Sequence, residues 1–213
     1  MSETLIAEQF ETVEQQRHAA TLGMWIFLAT EVLFFGGLFA AYTTYRYLFP
    51  EVFHHASHHL DIFLGGLNTG VLLTSSFTMA MSIWALRARG RKLSAVLLSI
   101  TVVLAVAFLC IKGFEYHHKY VEHLVPGSGF HYEGVDSGHA ELFFWLYFAM
   151  TGLHALHVMI GVGILSTLAV LVWLGRIAPE RYMPVEISGL YWHFVDIVWV
   201  FLFPLLYLAG ARV

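Results

Sequence analysis

ELFFWLYFAMTGLHALHVMIGVGILSTLAVLVWL, from Glu141 to Leu174, decides the fold. It runs for 34 residues with no proline, and its only charged residue is the first. As a helix it measures about 51 Å at about 1.5 Å per residue, against a hydrocarbon thickness of about 30 Å. One tilted helix that protrudes from the bilayer fits this length better than two spans and a turn.

Four more apolar stretches flank it, each bounded by charge or by Pro and Gly. They run from about Leu22 to Tyr42, Asp61 to Leu86, Leu93 to Phe114 and Glu186 to Leu208. The sequence therefore predicts an all-α integral membrane bundle of five spans over residues 1–213, forming one membrane domain. Composition agrees: 58% of the 213 residues are hydrophobic and 12% charged, against about 45–50% and about 25% in a soluble domain. So few charges leave no polar shell, so the surface must face lipid.

Lys and Arg favour cytoplasmic loops, and Arg87, Arg89, Arg91 and Lys92 crowd the turn between the second and third spans. That turn goes inside, together with the segment 1–20 carrying Arg17 and the loop carrying Arg176 and Arg181. Seven basic residues then lie inside and four outside (Arg46, Lys112, Lys119 and Arg212), so the N-terminus is expected inside and the C-terminus outside. With Glu3, Glu8, Glu11 and Glu14, the first twenty residues lack the pattern of a cleaved signal, so insertion is expected to rely on the spans.

A net charge of -4 gives no reason to expect nucleic acid. The single cysteine, Cys110, excludes an internal disulfide and reads as a small buried hydrophobe. No repeat is evident and no proline breaks a span at mid-depth, which removes the usual pointers to a transporter.

Ionisable groups deep in a span cost several kcal/mol unless paired, so each is a functional candidate. Glu31 lies near the middle of the first span. His154 and His157 share a face of the fourth at i, i+3, and His193 and Asp196 do the same on the fifth. Three helices thus offer polar groups to one interior patch. Glu31 can sit there protonated or ionised beside an imidazolium, and either state suits proton handling. A static interhelical hydrogen-bond cluster accounts for the same residues, and Gly36, Gly37, Gly65, Gly66, Gly161 and Gly163 would serve the close helix approach it needs. Facing histidines also admit a b-type cytochrome, with His154 or His157 opposite His193, although Glu31 and Asp196 make a poor apolar haem pocket.

In the outer loops His54, His55, His58 and His59 form two i, i+4 pairs, and His117, His118, His123, His131 and His139 crowd the next. Zinc or copper suits imidazole, but no Cys or evident carboxylate completes a four-ligand set, and a solvated histidine-rich surface is the preferred reading. Gly127, Gly129, Gly134 and Gly138 with Pro126 mark that loop as irregular.

The polar and glycine positions fall in strings that together resemble cytochrome c oxidase subunit III. They are GMWIFLATEVLFFGGLFAAY (Gly23–Tyr42), LNTGVLLTSS (Leu67–Ser76), the Glu115-Tyr116 pair, FAMTGLHALHVMIGVGIL (Phe148–Leu165) and YWHFVDIVWVFLFPLLYL (Tyr191–Leu208). The full family pattern has seven spans in two bundles around a lipid-filled cleft. This chain starts at what looks like the third span, as in five-span versions where the other two helices can be fused to the catalytic subunit.

The resemblance implies a subunit without haem or copper of its own, packed against subunit I, which carries both, with subunit II nearby and phospholipids bound between. It implies a complex in a bacterial inner membrane that reduces oxygen to water and pumps protons. Glu31 matches the carboxylate associated with proton uptake and lasting turnover, and His157 is its expected partner. Arg176 is a candidate lipid-phosphate contact, or simply a positive-inside anchor. An accessory subunit of nitric oxide reductase resembles the same strings, and a proton-coupled transporter using Glu31, His157 and Asp196 is the rival of another class.

Overall fold

The computed structural model describes residues 10–88, 90–132, 134, 136–177 and 182–208. Residues 1–9 of the acidic N-terminal segment, and Arg89, Arg181 and Arg212 among the charges used for orientation, lie outside the described residues.

Among the described residues the chain is all helix, turn and loop, with five helices long and apolar enough to cross a membrane. They are α1 (Val13–Leu48), α3 (Ile62–Arg87), α4 (Arg91–Val121), α5 (Ser137–Trp173) and α6 (Met183–Phe203). A short helix, α2 (Pro50–Ser57), stands between the first two, and α6 continues into a π-helical turn, Pro204–Leu208. Each expected span is a helix, and the first and third run furthest past their apolar limits. The first starts nine residues earlier, and the third continues through Phe114 to Val121. The fourth span is a single helix of 37 residues, as its length requires.

Local chemistry sets the ends. Thr12 accepts from the Gln15 amide to start α1, Asp61 from the Phe63 and Leu64 amides to start α3, and Asp136 from the His139 amide to start α5. α5 stops at Gly175, which adopts φ +76°, while the Gly175 and Arg176 amides bond back to Val172 and Leu171. Arg91 packs so closely over Gly175 that a Cβ there would lie 2.4 Å from its guanidinium. Pro204 has no N–H to continue the α ladder, and the chain passes into the wider turn that carries Tyr207 inward.

α3 pairs with α4, α4 with α5, and α6 packs across α3 and α5. α1 lies at the margin, held by α6 and α5, with Trp25, Ile26, Leu33 and Phe34 facing out. Trp192, Trp199, Tyr147, Phe143 and Phe144 fill the interior. Side-chain hydrogen bonds join the helices: Trp192 Nε1 donates to Ser75 Oγ at 2.9 Å, and Trp199 Nε1 to Thr69 Oγ1 at 3.1 Å. Thr78 and Thr101 meet at 2.8 Å, Tyr116 and Thr151 at 2.6 Å. In lipid such bonds contribute on average about 0.6 kcal/mol each, so packing supplies the remainder.

Two expectations need correction. Cys110 is exposed on α4 rather than buried, because its side chain falls on the outward stripe of that helix. Of the glycines expected at close approaches, Gly65 and Gly161 are such sites, with ring atoms of Phe203 and Trp192 at 2.8 and 2.5 Å from a Cβ position. Gly36, Gly37 and Gly163 meet open space, since their helix faces point away from neighbouring helices.

Candidate functional site

The five ionisable groups expected in one interior patch occupy three places. Glu31 of α1 and His157 of α5 meet, with Glu31 Oε2 at 3.3 Å from His157 Nε2. Glu31 lies about 27 Å along α1 from Val13, and His157 about 30 Å along α5 from Ser137, so both sit near the middles of long helices. The pair is largely shielded, its side chains 18% and 14% exposed. Phe35 packs edge-on to the imidazole at 5.5 Å, and the Tyr191 hydroxyl donates to the His157 carbonyl at 3.0 Å.

The second ring nitrogen is engaged as well. His157 Nδ1 lies 2.8 Å from the Leu153 carbonyl, which only accepts, so Nδ1 carries a hydrogen. Nε2 faces the Glu31 carboxyl group at 3.3 Å. A carboxyl group and an imidazole in contact are two side chains that general acid–base chemistry uses to pass protons.

His154, one turn from His157, faces the other side of α5. Its Nε2 donates to the Val195 carbonyl of α6 at 3.1 Å, and its ring lies between Phe108 and Trp199 at 5.4 and 5.2 Å. His193 shares a 2.7 Å hydrogen bond with Ser76, joining α6 to α3. Asp196 is buried beside the same Ser76 hydroxyl. The single patch fails because His154 and His157, although i, i+3 on one helix, turn to different neighbours, Val195 and Glu31. The histidines do not stand as facing axial ligands either, since each is engaged by a different group.

A fourth cluster escaped the sequence reading. Lys112, counted only among the outer charges, and Glu115, named only in the Glu115-Tyr116 pair, lie on α4 and are buried, 3% and 2% exposed. Lys112 Nζ donates to Glu115 Oε2 at 3.0 Å and to the Tyr207 and Tyr147 hydroxyl oxygens at 2.8 and 3.3 Å. Those hydroxyls in turn donate to Glu115 Oε1 at 2.5 and 2.7 Å. The ring closes with every strong donor used and no net charge, which is what permits burial. Lys119, also buried, pairs with Glu122 at 2.6 Å. The signal was present: both pairs are spaced i, i+3, which a helix continuing past Phe114 brings together.

Arg176 is exposed just beyond the end of α5. At the same end of the bundle Glu186 receives Arg87 in a short ion pair and Arg17 at 3.7 Å, and both guanidinium groups stack over Tyr182. At the opposite end lie the histidines. Among the described residues no group of three or more His, Cys, Asp or Glu side chains converges as a metal site.

Comparison with known proteins places these features. The profile described as cytochrome c oxidase subunit III matches residues 8–211. A cytochrome c oxidase subunit 3 of Synechocystis sp. is 34% identical, over 87% of this chain and 74% of that protein. One from Alkalihalophilus pseudofirmus is 31% identical, over 89% of this chain and 86% of that protein. A probable quinol oxidase subunit 3 of Staphylococcus haemolyticus is 29% identical, over 93% of this chain and 94% of that protein. These names favour the oxidase branch over nitric oxide reductase, an independent transporter or a cytochrome.

Proposed function

The chain belongs to the cytochrome c oxidase subunit III family and is a subunit of a haem-copper terminal oxidase, and on that premise we propose that it braces the catalytic subunit and supports its proton uptake through Glu31 and His157. The observation that carries this reading is the contact of the Glu31 carboxyl group with the His157 imidazole at 3.3 Å, near the middles of their helices and partly open at the edge of the bundle. α1 bears Glu31 and is the helix least enclosed by its own chain, which suits a carboxylate that serves a neighbouring subunit. His154, His193 and Asp196 act as packing groups of the α3–α5–α6 core.

In this reading the partners are subunit I, in direct contact and carrying haem and copper, and subunit II. The complex reduces oxygen to water in a bacterial inner membrane. The charge asymmetry supports an inside N-terminus and an outside C-terminus, which puts Arg17, Arg87 and Arg176 on the cytoplasmic side. Phospholipids fill the seams between subunits, with Arg176 placed to meet a lipid phosphate. The electron donor is a property of the other subunits, and relatives named for cytochrome c and for quinol fit equally.

The test uses the purified oxidase complex in lipid vesicles with Glu31→Gln or His157→Phe. Proton uptake and oxygen consumption are followed through many turnovers, with haem content as the control for assembly. Slower uptake and earlier loss of activity are expected in both variants. Uptake and endurance equal to wild type in both would reduce the pair to a packing contact.

A further inference from the structure

The histidine-rich end of the bundle contains one pair of imidazoles posed differently from the rest. α2 begins at Pro50 and fixes its inner face to the core through Phe53 and Ala56, which are buried. Phe53 stands between the rings of Tyr42 and Phe143 at 5.5 and 5.4 Å. The Ser57 hydroxyl donates to the His54 carbonyl at 2.6 Å, tightening the last turn. On the outward face of this anchored turn His54 Nε2 and His58 Nε2 face each other at 3.2 Å, with their rings crossed at 79°. The neighbouring i, i+4 pair differs, because His59 turns its ring toward Tyr132 and Phe144.

Two nitrogens bound to one tetrahedral zinc, at Zn–N about 2.0–2.1 Å, lie about 3.3–3.4 Å apart. The separation on α2 matches that bite with little side-chain movement, and the backbone beneath it is already held. We propose that His54 and His58 form a two-imidazole site for a divalent transition metal, zinc by its bite, on the exposed face of α2. No third His, Cys, Asp or Glu among the described residues converges on the pair. Water completes the coordination, so the site is open and exchangeable rather than structural. Occupancy ties the last turn of α2 to its C-cap, His58, which lies next to the loop entering α3.

The test takes the full chain in mild detergent, purified through a tag without histidine, and measures zinc by equilibrium dialysis and metal analysis. Wild type is expected to bind one zinc in a class of micromolar affinity. His54→Ala and His58→Ala should each weaken that class by about tenfold or more, since each deletes one of two ligands. His55→Ala, which removes a neighbouring imidazole, should leave it intact. Gel filtration and helix content establish that each variant is folded, and His54→Gln replaces any that is not. Zinc bound equally by the double variant His54→Ala/His58→Ala, or no zinc bound by wild type at millimolar metal, overturns the site and leaves the pair as an imidazole–imidazole hydrogen bond.

Discussion

Replacing Lys112 by Met removes the cation from a closed buried ring while nearly keeping its volume. Breaking a buried ion pair from one side costs about 3–5 kcal/mol, because the other charge is stranded. Here the lower end applies. Glu115 would keep two tyrosine hydroxyl donors, at 2.5 and 2.7 Å, so Lys112→Met should cost about 3 kcal/mol. Glu115→Met strands an ammonium whose remaining neighbours are hydroxyl oxygens and aromatic faces, and should cost nearer about 4 kcal/mol. The double variant strands no charge. It leaves two tyrosine hydroxyls to pair with each other or go unbonded, a cost of about 1–3 kcal/mol. The double variant should therefore be more stable than either-side addition requires, by about 4–6 kcal/mol of coupling. Unfolding in mixed micelles of mild detergent and SDS, followed by circular dichroism, gives the four stabilities of the cycle. Single losses below about 1 kcal/mol, or losses that simply add in the double variant, would refute the closed ring.

Two further outcomes follow from other contacts. Gly161→Val places a side chain against Trp192, whose ring atoms already lie 2.5 Å from the Cβ position, and should cost about 1–3 kcal/mol in the same unfolding assay. Gly163→Ala, two residues along in open space, should change little and serves as the matched control. At the loop end, burial and the nearby Lys119 ammonium hold His59 below the ordinary imidazole value of 6.5. A base whose folded value is lowered binds fewer protons folded than unfolded, so stability rises with pH across the window just below 6.5 and is lost on acidification through it. Amide protection factors in α2 and around Tyr132, which remove the intrinsic pH dependence of exchange, should therefore fall as the pH drops below about 6.5, and His59→Gln should flatten that response; unchanged protection would dismiss the coupling.

Much of the fold lay in one-dimensional pattern. Apolar runs longer than a bilayer, with no polar partner for their backbones, leave helix as the available structure, and charge or Gly and Pro mark where each run ends. Those marks set the apolar limits rather than the helices. α4 continues through Lys112, Glu115 and Lys119 because these charges pair at i, i+3 along it, and no single-helix pattern records what Tyr147 contributes from α5 and Tyr207 from the π-helical turn. α2 was also hidden, an eight-residue helix whose place depends on Phe53 finding Tyr42 and Phe143.

The candidate residues divide the same way. Depth and spacing alone singled out Glu31, His154, His157, His193 and Asp196, since an ionisable group in the middle of a span is costly wherever the helix is packed. The strings around them carried the family. Which partner each side chain meets was decided by rotation and tilt of the helices, properties of the packed bundle. Glu31 reaches His157 across α1 and α5, whereas His154, one turn away, turns to Val195 and His193 reaches Ser76. The sequence by itself determined that five helices span and which polar groups they carry into the membrane, because the bilayer constrains length and composition. Only the tertiary structure decided the pairings, because direction around a helix acquires meaning when a neighbour occupies it.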